Sequence, residues 1–115
     1  MKWYPQLYVG EHVSKKRKKI IWKINHCRKI YHVYLITLAS NGKDIFDIFS
    51  SVYLSFPAVR RNCPMIVGIA GDYFEAVDLC LKIIEEVYQE TGKVEIRKYL
   101  EQKMEEWKWE RKRQV

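Results

Sequence analysis

The stretch VYLITLASNGKDIFDIFS, residues 33–50, decides the fold. Its two halves are rich in β-branched and aromatic residues, and Asn41-Gly42 between them suits a two-residue type I′ turn, whose central positions both need positive φ. The pattern predicts strands over 30–38 and 44–54 joined as a tight hairpin. A two-residue loop also sets the register. Thr37 then faces Phe46 and Leu35 faces Ile48 on one side, while Ile36 faces Asp47 and Tyr34 faces Phe49 on the other. Side chains alternate with period two, so a hairpin with one wet face should be polar on that face. This one carries large apolar groups on both, and both need a cover, from this chain or from another.

Working outward, Leu7-Tyr8-Val9 between Pro5 and Gly10 reads as a short strand. Ser14 then precedes a helix over 15–28, in which Ile20, Ile24 and Cys27 recur at i, i+4 and i+7. Its first turn, Lys15-Lys16-Arg17-Lys18, puts positive charge at the positive end of the helix dipole, so that end should fray or find an anion. Downstream, Pro57 and Pro64 predict an irregular connection over 55–64. Met65 to Ala70 reads as an interior strand. A helix over 72–90 follows, capped by Asp72 with Glu75 three residues on. Phe74, Val77, Leu81, Ile84 and Tyr88 form one apolar stripe on it, and Ala76, Cys80, Ile83 and Val87 a second. A face that wide predicts deep packing on the sheet. Thr91-Gly92 ends the helix, and Ile96, Leu100, Met104 and Trp107 mark another.

The expected fold is therefore α+β: a sheet of about four strands, mainly antiparallel, around a central Asn-Gly hairpin. The helices at 15–28 and 72–90 pack one face, and a C-terminal helix closes an end or the opposite face. Residues 1–105 make the single domain. Residues 106–115 are a basic, aromatic tail that orders only if Trp107 and Trp109 dock.

Composition agrees with one folded domain. Of 115 residues, 48% are apolar and 14% aromatic, far from a disordered composition. No apolar run approaches the roughly 18 residues that a membrane span needs, and no secretory signal opens the chain. Cys27, Cys63 and Cys80 are odd in number and unpatterned, which points to reduced thiols in a cytoplasm. The net charge of +7 is polarised: residues 1–64 hold 12 basic against 3 acidic residues, and residues 65–102 hold 4 against 8.

No motif specifies catalysis, a cofactor or a metal, and the reading is that the chain is not an enzyme. Gly68-Ile69-Ala70-Gly71 lies between strand and helix like a phosphate loop, yet Asp72, Glu75 and Asp78 would repel phosphate there. Cys63 lies beside Arg60 and Arg61, whose charge could activate a thiolate. Two surfaces carry the functional expectation. Tyr34, Ile36, Phe49, Trp107 and Trp109 are candidate interface residues for a second copy of the chain or another protein. Lys15, Lys16, Arg17, Lys18, Lys19, Arg28, Lys29, Arg60 and Arg61 are candidate contacts to nucleic acid or another polyanion, the alternative reading.

Residues 4–100 resemble a group of small uncharacterised bacterial proteins. Leu7-Tyr8-Val9, the basic helix ending in Arg28, Val33 to Leu38, Ile66-Val67-Gly68-Ile69-Ala70 and Glu85-Glu86-Val87-Tyr88 with Thr91-Gly92 carry the resemblance. It implies a soluble bacterial protein and no particular activity.

Overall fold

The computed structural model describes residues 1–28, 32–41 and 43–113. In chain order they form strand β1 (Trp3–Val9), a 3-10 turn (Ser14–Lys16), helix α1 (Arg17–Asn25), strands β2 (Tyr34–Leu38) and β3 (Phe46–Ser50), and a 3-10 helix (Ser51–Ser55). Helix α2 (Pro57–Arg61), strand β4 (Ile66–Ala70) and helices α3 (Tyr73–Thr91) and α4 (Ile96–Arg113) complete it. The fold is α+β with one four-stranded sheet, ordered β1-β4-β2-β3. β1 runs parallel to β4, and the other two pairings are antiparallel.

Sequence explains most of these elements locally. β4 is a continuous apolar run and sits between β1 and β2, buried on both faces. Asp72 caps α3 by accepting from Glu75 N–H at 2.8 Å, and Gly92 closes it at φ 70°, where a side chain would be strained. α1 ends in a Schellman motif: Arg28 N–H reaches Lys23 O at 2.8 Å and Cys27 N–H reaches Ile24 O at 3.3 Å. Cys27 takes the left-handed position at φ 55° that glycine usually fills.

The two faces of the sheet are covered by different helices. Ile36, Leu38 and Val67 pack under Ala76, Cys80, Ile83 and Val87 of α3 and under Ile96, Leu100 and Met104 of α4. Val33, Leu35, Ile66 and Ile69 pack against Ile20 and Ile24 of α1 and Leu54. The helices at 15–28 and 72–90 thus lie on opposite faces, where one shared face was expected. Two apolar faces on one hairpin need two layers of cover, and this chain supplies both.

The hairpin register also differs from the expected one. Leu35 faces Phe49, Ile36 faces Ile48 and Thr37 faces Asp47, one residue away from the two-residue-loop register. Asn41 explains the shift. Its Oδ1 accepts from Lys43 N–H at 2.9 Å and Asp44 N–H at 3.0 Å, its Nδ2 donates to Asp44 at 2.8 Å, and Ala39 N–H closes the loop on Ile45 O at 3.1 Å. Asparagine here organises a wider loop; Gly42 lies outside the described residues. A one-residue slip exchanges faces, so Phe49 joins the α1 side while Tyr34 and Ile36 stay on the α3 side. The segment 55–64 is not irregular throughout, because Pro57 starts α2 at a position that needs no N–H donor.

Candidate interaction surface

α3 sorts its two apolar stripes differently from the sequence reading. Ala76, Cys80, Ile83 and Val87 are buried against the sheet, whereas Phe74, Leu81 and Tyr88 are 80%, 60% and 56% exposed. With half-buried Val77 and Ile84 they keep a 3-4 alternation along about four turns, the spacing of a helix face that meets another helix. The opposite flank of α3 is occupied: Glu86 accepts from Tyr8 OH at 2.8 Å, and Glu90 accepts from Tyr99 OH of α4. The exposed stripe is therefore on the flank nearer β3, the last strand of the sheet. At the start of α3, Tyr73 meets Tyr34 edge-on at 6.1 Å, continuing the aromatic surface onto β2.

β3 is the less protected edge, with Asp47 as its one charge. Ala39 N–H donates to Ile45 O and Ser51 N–H to Val33 O, which makes the residues at 45, 47, 49 and 51 the hydrogen-bonded partners of β2. By alternation the N–H and C=O groups of Phe46, Ile48 and Ser50 point away from the sheet. β3 has no proline or lysine, and its ladder with β2 runs without a break. The other edge, β1, contains Pro5, has a register irregularity between Trp3 and Tyr8, and is tied down by Trp3 Nε1 donating to Asn25 at 2.7 Å. Edges that face water are normally blunted in these ways. β1 combines several of them, whereas β3 has only Asp47.

The candidate interface residues separate accordingly. Ile36 is fully buried and is removed from the interface. Phe49 faces the α1 side, and Tyr34 is half-buried beside Tyr73. Trp107 and Trp109 do not fold over the hairpin: α4 carries them past its last buried residue, Met104, with Arg111 over the Trp107 ring at 4.9 Å and Trp109 exposed. Phe74, Leu81 and Tyr88 lie outside the core that their periodicity predicts for them, because periodicity gives a stripe but not the direction it faces.

The basic residues fall into two groups. Lys15 and Lys16 lie in the 3-10 turn and Arg17, Lys18 and Lys19 open α1, all exposed, with no acid in that first turn. Arg28 lies beyond the far end of α1, beside α2. There Arg60 donates to Ile24 O at 2.6 Å and completes the α1 C-terminus. Arg61 is exposed on α2, and Lys29 lies outside the described residues. Comparisons with protein-family models, curated proteins and solved structures find no match for this chain.

Two chemical candidates acquire structural roles. At the start of α3 the Glu75 carboxylate accepts from Gly71 N–H at 2.7 Å and His12 N–H at 3.3 Å, so the chain's own acid fills the place an anion would take. Burial pushes the Cys63 thiol above its ordinary value, outweighing the nearby N-terminal amine and Arg60, which is opposite to thiolate activation. No helix is long and apolar enough to cross a membrane among the described residues.

Proposed function

We propose that this protein is a homodimeric interaction module that pairs through β3 and α3. The observation that carries the reading is the unbroken, proline-free β3 edge lying beside the exposed Phe74, Leu81 and Tyr88 stripe. A strand donor alone would satisfy the edge and leave the stripe wet. A second copy brings a strand and a helix together. Antiparallel pairing about Ile48 matches Phe46 with the partner's Ser50, so the outward-pointing groups of all three residues are used. Asp47 then lies across from Phe49, and no like charge meets itself. The same two-fold axis sets the two α3 stripes against each other in antiparallel sense.

Sedimentation equilibrium tests this directly. The wild-type chain should dimerise, and Leu81→Glu, at an exposed position, should be a folded monomer. In the dimer the amides of Phe46, Ile48 and Ser50 should exchange slowly and lose that protection in the variant. A wild-type monomer at all accessible concentrations overturns the proposal.

The exposed cluster Lys15 to Lys19 supports a second role as a polyanion contact. Binding to RNA or DNA that weakens steeply with salt and disappears on reversing these charges would establish it. The three unpaired thiols fit a reducing cytoplasm.

A further inference from the structure

On the sheet face opposite α3, the end of α1 and the segment from Ser51 to Arg60 enclose a cavity of about 620 Å³, within the size range of small-molecule sites. Its floor is apolar: Ile24 and Leu54 are 2% and 6% exposed, and Pro57 lies beside them. Its polar lining is one-sided. Arg28 and Arg60 both reach it, no Asp or Glu lines it, and among the described residues neither arginine makes an ion pair. Arg60 is held in place because it donates to Ile24 O. That carbonyl also accepts from Cys27 N–H, and Lys23 O accepts from Arg28 N–H, so these two carbonyls at the negative end of α1 already have donors. A guanidinium has five donors in a planar fork, and a single carbonyl leaves most of those of Arg60 free.

We infer that this cavity binds an amphiphilic anion, with its carboxylate on Arg28 and Arg60 and its acyl tail over Ile24, Leu54 and Pro57. The two halves of the lining select together. A small inorganic anion would leave the apolar floor wet, and a neutral chain would leave two guanidinium groups without a counter-charge. The site lies across the sheet from the α3 stripe and adjoins only the Ser50 end of the β3 edge.

Isothermal titration calorimetry with decanoate, decanol and acetate is the test. Decanoate should bind at micromolar concentration, with decanol and acetate each at least about tenfold weaker. Arg28→Gln, at an exposed position, should weaken decanoate about tenfold and leave decanol unchanged. Ser55→Trp, which fills the cavity from its exposed rim, should abolish binding while leaving the far-ultraviolet dichroism intact. Decanol binding as tightly as decanoate, an unaltered decanoate affinity in Arg28→Gln, or no decanoate binding below millimolar concentration would each overturn the inference.

Discussion

Replacing Gly10 with alanine should destabilise the protein through a residue 65 positions away in sequence, Glu75. An alanine Cβ at position 10 would sit 2.1 Å from Glu75 Oε1 and 2.3 Å from its carboxyl carbon. No real contact is that short, so the carboxylate must leave. It then loses Gly71 N–H at 2.7 Å, the weaker His12 N–H at 3.3 Å and His12 Nδ1 at 3.1 Å. One well-formed hydrogen bond to a charged group contributes about 1.5–3 kcal/mol, while the exposed His12 contacts add little because water replaces them. The expected cost of Gly10→Ala is about 2 kcal/mol. Gly10 does not have positive φ, so alanine strains no backbone there. In a Glu75→Ala background the same substitution should therefore be neutral, or stabilising by about 0.4–1 kcal/mol through the unfolded chain. Urea denaturation of the four proteins of this cycle, followed by tryptophan fluorescence, gives the coupling, expected near 2 kcal/mol. An equal cost of Gly10→Ala in both backgrounds would refute the reasoning, since the glycine would then be needed for its own backbone.

Thr37 is fully buried in β2 and its hydroxyl has no hydrogen-bond partner among the described residues; Thr37→Val should raise stability by about 1 kcal/mol, and a loss in urea denaturation would mean that the hydroxyl is satisfied. Cys27→Gly should stabilise the α1 terminus by about 1 kcal/mol by relieving the left-handed backbone at φ 55°, read as a higher denaturation midpoint at unchanged m-value. The Tyr99 phenol is pushed up to about 12 by its hydrogen bond to the Glu90 carboxylate, and burial followed by a hydrogen bond to Glu86 raises Tyr8 as well. Tyrosine in the unfolded chain ionises near 10, so this stabilisation is full below that pH and is lost as pH rises toward the folded values. Spectrophotometric titration should show late-ionising tyrosines, and Tyr99→Phe should make the alkaline loss of stability shallower; an unchanged slope would remove Tyr99 from the account.

Much of the fold was legible because it depends on neighbours in sequence. The β-branched and aromatic richness of residues 34–38 and 46–50, the Asp72 cap, the Gly92 stop and the apolar run of β4 each act within a few residues. Where the reading failed, a local signal had more than one solution. Asn41-Gly42 suits a two-residue turn, yet the Asn41 side chain reaches Lys43 and Asp44 and builds a wider loop. That single residue of register moved Phe49 away from Tyr34. The candidate site was read less well. Trp107 and Trp109 stood out as unplaced aromatics yet lie outside the β3 and α3 surface, while Phe74, Leu81 and Tyr88 were hidden inside a pattern that core packing also explains.

The sequence by itself determined that α3 carries two apolar stripes and that both sides of the hairpin need cover, because helix and strand periods are properties of the backbone. Only the tertiary structure decided which stripe stays dry. α3 and α4 share one face of the sheet and α1 takes the other, and with both faces covered the Phe74, Leu81 and Tyr88 stripe has no element among the described residues left to pack against. Burial depends on what else has already been buried, and that balance is struck across the whole molecule rather than along the chain.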